Sequence, residues 1–155
     1  MGSEEFISLL HGFLGTIVLM SFSGVLLGLF SLNKNRYNIL KYSIIIMTIA
    51  VILIDIFGMM IYAVYRETNA DSAKSKILAS DKPWVHEILM EFKEFSGIYV
   101  AIILILASFL VIEFKDELFK NKQIRNTLVL MMTLAMLLTL ITFGLGAYIT
   151  KVQSI

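Results

Sequence analysis

Four long apolar segments constrain this chain more than any other feature of its sequence. They are residues 6–32, 39–65, 95–112 and 127–149. Because a helix that crosses a bilayer needs about 17 to 25 mostly apolar residues, each segment has the length of a membrane span. We therefore predict an all-α, integral membrane four-helix bundle, with helices at about 5–32, 38–66, 83–114 and 124–151.

The composition agrees with a bilayer as the main solvent. Of the 155 residues, 58% are hydrophobic and 16% are charged, whereas soluble domains average about 45–50% and about 25%. At this length we expect one domain, spanning 1–155. The net charge of +1 gives no field that attracts nucleic acid, and the absence of cysteine excludes disulfides and covalently attached haem. The lipid bilayer is the first expected partner.

The connections between the segments predict how the chain is threaded. The polar stretch 67–82 is the only one long enough for structure of its own, and we expect one short surface helix there. Residues 80–84 then predict a helix start, with a capping side chain, a proline in the first turn and a tryptophan at the membrane interface.

The orientation follows from the distribution of Lys and Arg. These residues are concentrated in the short loops after the first and third helices: Lys34, Arg36, Lys41, Lys115, Lys120, Lys122 and Arg125. The positive-inside rule then predicts that both termini lie on the outer, non-cytoplasmic side.

Ionisable side chains near the apolar segments are the candidates for function, because such groups are costly in hydrocarbon unless they face protein. They are His11, Asp55, His86, Glu87, Glu91, Lys93 and Glu94. At about 100° per residue, the three glutamates share one face of the third helix, with His86 and Lys93 beside them. This polar stripe also fits an amphipathic first half of the helix that projects into water.

The two histidines suggest a cofactor. His11 and His86 lie on different helices toward the same side of the predicted bundle, as the axial ligands of a non-covalent haem b must. Both histidines would then bind the metal. Counting 1.5 Å per residue from the opposite loops separates them by about 9 Å in depth, which helix tilt must absorb.

Other side chains fit the same haem hypothesis. Lys93, Arg66 and Lys82 are candidates to pair with the propionates. Gly12 and Gly15 beside His11, and Gly97 on the third helix, leave room for a flat macrocycle. The carboxylates Glu91, Glu94 and Asp55 are candidates to take up the protons that a quinol releases when it is oxidised.

A histidine followed by glycines in the first helix, with a second histidine on a later helix of a short four-helix bundle, resembles small membrane b-type cytochromes of the cytochrome b561-like kind. The residues that carry the resemblance are His11, Gly12, Gly15 and His86. Such cytochromes commonly carry four ligands for two haems, so two histidines limit the resemblance to one haem. It implies electron transfer from a quinol or with a redox partner on the outer side.

Two other classes of function fit the same residues. A proton- or cation-handling membrane protein would use Asp55, Glu91 and Glu94 as a relay or a cation site without redox chemistry. A non-catalytic subunit of a larger membrane complex, or a homo-oligomer, would use the polar residues to seal an interface. The chain lacks the metal-binding spacings Glu-x-x-His and His-Glu-x-x-His, and it has no P-loop or dinucleotide fingerprint.

Small residues in the first helix predict close packing. Gly24 and Gly28 are four residues apart and follow Ser21, which places them on one ridge and permits close approach of a second helix. We expect this ridge to pack inside the bundle rather than in a dimer.

Overall fold

The computed structural model describes residues 3–30 and 32–152, with side chains from Phe6 onward. These residues form helices and no β-strand, which confirms the all-α prediction. The elements are α1 (Ser3–Phe30), α2 (Lys34–Tyr65), α3 (Ala73–Leu78), a π-helical segment (Val85–Met90) that continues into α4 (Glu91–Glu113), α5 (Lys115–Lys120) and α6 (Lys122–Val152). By length and composition, four of these helical stretches can cross a membrane: α1, α2, the π segment with α4, and α6.

The turn between α1 and α2 is tighter than the sequence predicted. The Asn33 side chain accepts hydrogen bonds from the backbone N–H groups of Asn35 and Arg36, both at 3.0 Å. This N-cap satisfies donors that the first helical turn leaves open, so α2 begins at Lys34 rather than near residue 38. The first helix was predicted to reach residue 32; α1 ends at Phe30, and Ser31 lies outside the described residues.

The helices α1 and α2 form a close antiparallel pair. A Cβ atom added at Gly28 would lie 2.6 Å from the Cβ atom of Leu40, and one added at Gly24 would overlap the Ser43 hydroxyl. Neither position therefore has room for a side chain. The prediction that this small-residue ridge packs within the bundle is confirmed.

The long helices follow one another in space as they do in sequence. Helix α1 packs along α2, α2 along α4 and α4 along α6, whereas α1 and α6 scarcely touch each other. The arrangement is therefore open between its first and last helices. We call the half that carries both chain ends and the connection 66–84 the terminal half, and the half with the two short connections the turn half.

The buried apolar side chains form two separate hydrophobic cores. The main core fills the middle of the bundle and the turn half, with Val18, Phe22, Leu40, Ile44, Met47, Leu104, Val111 and Leu128 among its buried residues. A smaller core lies at the terminal end and consists of Tyr65, Ala73, Ile77, Val85, Met90 and Ile149. The short helix α3, which the sequence predicted, contributes two side chains to this second core and so covers the end of the bundle.

The start of the third long helix differs from its prediction. The helix does begin just after Pro83, but no side chain caps it, because the first N–H groups of His86 and Glu87 bond the Pro83 carbonyl instead. The turns from Val85 to Met90 are π-helical, with His86 among them. Such wide turns are rare, and they often occur at functional sites.

Candidate functional site

His11 projects from α1 toward α2. Its Nδ1 atom lies 3.1 Å from the carbonyl oxygen of Ile54. Because a carbonyl only accepts, Nδ1 carries the proton in this contact, and Nε2 of the neutral ring remains an acceptor. The ring packs against Gly58, where an added Cβ would lie 3.4 Å from the imidazole Cε1 atom. The imidazole therefore lies directly against the backbone of α2 at this glycine.

Asp55 lies one residue after the carbonyl that holds His11, and its carboxylate points toward α4. An added Cβ at Gly97 would lie 2.9 Å from Asp55 Oδ1. Asp55 is half-buried and makes no hydrogen bond or ion pair with any described residue. It lies ten residues before Tyr65, which corresponds to about 15 Å along the helix axis. Because an unpaired charge is unfavourable inside a protein, a half-buried carboxylate without a partner is stabilised by binding a proton or a cation.

Lys93 and Glu94 complete the arrangement from α4. Their side chains form an ion pair of 3.1 Å and are 21% and 23% exposed. The aliphatic stem of Lys93 crosses to α6, where an added Cβ at Gly146 would lie 3.3 Å from its Cε atom. The charges of this pair also act on His11 and Asp55.

Three contacts of one kind therefore link all four long helices. In each, a polar side chain from one helix occupies the space left by a glycine on the next: His11 against Gly58, Asp55 against Gly97, and Lys93 against Gly146. We call His11, Asp55, Lys93 and Glu94 the deep polar cluster. A Cβ at Gly97 or Gly146 would crowd the polar side chain, whereas one at Gly58 would make ordinary van der Waals contact with the imidazole.

A second network lies nearer the terminal end. The Tyr62 hydroxyl donates to Glu91 Oε1 at 2.7 Å, and the Tyr65 hydroxyl lies 3.0 Å from Nδ1 of His86. The two tyrosine rings stack with their centroids 5.7 Å apart. Arg66 sits over the Tyr62 ring at 5.1 Å and is itself exposed. We call Tyr62, Tyr65, His86 and Glu91 the aromatic network.

The structure separates the two histidines that the sequence paired. His11 bonds the carbonyl of Ile54, while His86 bonds the side chain of Tyr65. These partners are eleven residues apart on α2, which corresponds to a rise of about 16 Å. The separation exceeds the reach of two ligands on one iron.

The other predicted site residues divide between the two networks. Lys93, Glu94 and Asp55 join His11 in the deep polar cluster, and Glu91 joins His86 in the aromatic network. Arg66 lies at the edge of the latter, and the side chain of Glu87 is exposed. Gly97, predicted to leave room for a macrocycle, instead accommodates Asp55. Among residues 3–30 and 32–152, no group of three His, Asp or Glu side chains converges as a metal site.

Beyond Asp55, the interior turns apolar. Between Lys41 and Asp55 on α2, and between Gly97 and Glu113 on α4, the sequence contains no charged side chain and no imidazole. The stretch from Lys41 to Asp55 alone measures about 21 Å. Thr48 bonds the hydroxyl of Ser108 at 2.9 Å and the carbonyl of Ile44 at 2.8 Å, so its polarity is satisfied locally. This apolar stretch therefore separates the deep polar cluster from the turn half.

No protein-family model matches this chain, and no match was found among the curated proteins or the solved structures. The resemblance to cytochrome b561-like proteins accordingly stays a prediction.

Sequence reasoning found the ionisable residues but missed what surrounds them. It missed Tyr62 and Tyr65 as the hydrogen-bond partners of Glu91 and His86, and it missed the contact of each deep polar group with a glycine position. A signal was available in part: Gly58 follows Asp55 by three residues and Gly97 follows Glu94 by three, so each glycine shares a face with an acid. The helix that contributes the side chain at each glycine depends on the register between the helices. This register cannot be predicted from the pattern within one helix.

Proposed function

We propose that this protein crosses the bilayer four times and that its deep polar cluster binds and releases protons from the terminal side. Asp55 is the proton-binding group in this proposal. His11 supplies a neutral acceptor, and the Lys93–Glu94 pair sets the local charge. The observation that carries the proposal is the half-buried, unpartnered carboxylate of Asp55 against Gly97.

The balance of charge supports a proton as the ligand. Three carboxylates, Asp55, Glu91 and Glu94, lie in the interior of the terminal half with one cation, Lys93. Glu94 is paired with Lys93 and Glu91 accepts a hydrogen bond from Tyr62, so Asp55 is the one of the three whose charge has no described partner. Protonation removes that charge without further ligands. A metal ion would need several converging ligands, and it would be repelled by the ammonium group of Lys93.

Access from one side supports exchange rather than conduction. Lys93 and Glu94 lie about one helical turn nearer the terminal side than Gly97, and their side chains are partly exposed. In the other direction lies an apolar stretch of about 21 Å.

A haem b electron carrier with a quinol or other redox partner remains a prediction from the sequence. The placement of both termini on the outer side also remains a prediction. The geometry does not favour a haem held by both histidines, because their hydrogen-bond partners are about 16 Å apart along α2. The optical spectrum of the reduced protein tests it directly. A sharp low-spin spectrum that disappears in both His11→Ala and His86→Ala would restore the two-ligand haem and displace the proton-binding proposal.

The proposed function is tested by infrared difference spectroscopy of the protein in lipid nanodiscs across a pH step that spans neutrality. We expect the C=O stretch of a protonated carboxyl group that is absent in Asp55→Asn. In parallel, wild-type protein should take up about one proton more than this variant when a pH-indicator dye follows the same step, because one titrating group has been removed.

A matched control removes a carboxylate elsewhere. Glu113 is exposed at the end of α4, in the turn half. Glu113→Gln changes a carboxylate to an amide as Asp55→Asn does, and it should keep the wild-type infrared band and proton uptake. Equal spectra for wild type and Asp55→Asn would refute Asp55 as the proton-binding group.

A further inference from the structure

A cleft lies at the terminal end of the bundle and shares no lining residue with either polar network. It has a volume of about 410 Å³ and is lined by Ser80, Asp81, Lys82, Tyr148, Lys151 and Val152. Residues 80–82 precede the third spanning helix, and the other three belong to the end of α6. The cleft therefore joins the long connection to the last helix.

The polar groups of this cleft favour an anion. Neither Lys82 nor Lys151 forms an ion pair with a described side chain, and the Tyr148 hydroxyl makes no hydrogen bond within the described part of the chain. Against these two ammonium groups stands one carboxylate, Asp81. The cleft thus offers net positive charge and three free donors.

Its position matches the depth of lipid headgroups. Trp84 stacks on Tyr148 with ring centroids 6.2 Å apart, and both side chains are about 40% exposed, at 41% and 39%. Trp and Tyr are enriched where a membrane meets water, and nearby lysines extend their ammonium groups toward the headgroups.

An apolar track leads from the cleft along α6. Spacings of four, three and four residues place Tyr148, Gly144, Ile141 and Leu137 on one face. Nothing lies within 4 Å of a Cβ added at Gly144, which leaves an indentation directly below Tyr148. Ile141 and Leu137 are 46% and 50% exposed. The polar cleft and the apolar track are continuous.

We propose that the cleft and track bind one anionic phospholipid, with its phosphate between Lys82 and Lys151 and an acyl chain lying over Gly144. The charge selects the headgroup and the indentation accommodates the chain. This site is independent of proton binding at Asp55, because the two share no residue.

Native mass spectrometry of the detergent-purified protein tests the site with phosphatidylglycerol and phosphatidylcholine of equal chain length. We expect preferential retention of phosphatidylglycerol. Lys82→Gln and Lys151→Gln should each weaken that binding about fivefold, which corresponds to about 1 kcal/mol per lysine near a membrane surface. Lys120→Gln and Lys122→Gln remove exposed charges from the turn half and should leave it unchanged.

A second variant separates the phospholipid from free phosphate. Gly144→Leu fills the indentation and should weaken binding of phosphatidylglycerol, while competition by inorganic phosphate stays as weak as in wild type. Equal retention of both phospholipids would overturn the proposal. So would inorganic phosphate that displaces the phospholipid at equal concentration, or a double lysine variant that keeps the preference.

Discussion

Glycines serve different purposes in the two halves of this protein. In the turn half, Gly24 and Gly28 allow α1 to approach the side chains and backbone of α2. In the terminal half, Gly58, Gly97 and Gly146 instead accommodate an imidazole, a carboxylate and a lysine stem. The first arrangement gives a closely packed apolar core, and the second gives polar groups space between helices. The same residue type therefore permits close helix packing in one half and leaves room for polar side chains in the other.

The largest effect is expected from Gly28→Ala in the turn half. The new Cβ would lie 2.6 Å from Leu40 Cβ and 3.0 Å from its Cα, and backbone cannot move aside cheaply. Overpacking of this kind costs about 1 to 3 kcal/mol, which unfolding of the protein in mixed micelles would measure. The control is Gly12→Ala, whose Cβ meets nothing within 4 Å. Equal stabilities for the two variants would contradict the close packing of α1 on α2.

A smaller loss is expected from Gly97→Ala in the terminal half. Its Cβ would come within 2.9 Å of Asp55 Oδ1, but a carboxylate can rotate away. We expect a loss below about 1 kcal/mol in the same unfolding assay, because the terminal bonds of a side chain turn easily. The infrared band of Asp55 should shift, since the carboxyl group changes its surroundings. A loss as large as that of Gly28→Ala would end the distinction between the two kinds of glycine.

Thr48→Val tests the polarity of the turn half. The Thr48 hydroxyl contacts the Ser108 hydroxyl and the carbonyl of Leu104 on α4, as well as the carbonyl of Ile44 on its own helix. The substitution removes these hydrogen bonds while keeping the shape. Hydrogen bonds between membrane helices average about 0.6 kcal/mol, so we expect a loss of that size on unfolding. Proton uptake should remain at the wild-type level. A change in uptake would extend the proton-binding site into the turn half.

The smallest change in stability is expected from Asp55→Asn. The carboxylate has no described partner to lose, so the free energy of unfolding should stay within about 0.5 kcal/mol of wild type. Proton uptake should nevertheless fall, which separates function from stability at this residue. A loss comparable to that of Gly28→Ala would assign Asp55 a structural role.

Much of the fold could be predicted because it follows from local pattern. Apolar runs of spanning length predict the long helices, and the polar stretch 67–82 predicts the short helix α3. The ridge of Gly24 and Gly28 is visible within one segment. These features depend on neighbouring residues in the sequence, which is why they were predictable.

The arrangement of the site depends on register between helices and could be predicted only in part. The sequence identified His11, Asp55, Lys93 and Glu94 as ionisable groups at depth, but it paired His11 with His86. In the structure, His86 forms a hydrogen bond with Tyr65 instead. His86 lies in a π-helical segment, which the sequence pattern did not predict. Helix α2 likewise starts earlier than predicted. The hydropathy pattern places its start near residue 38, but the Asn33 cap extends the helix back through the polar residues to Lys34.

The most direct test of the account measures protons on the two sides of a membrane. The protein is reconstituted in liposomes with one orientation, and pH-sensitive dyes report inside and outside after a pH step on the terminal side. We expect rapid proton binding on that side, dependent on Asp55, with flux into the lumen no greater than through protein-free lipid. Sustained flux that Asp55→Asn removes would contradict the closed turn half, and unchanged binding in that variant would contradict the proton site itself.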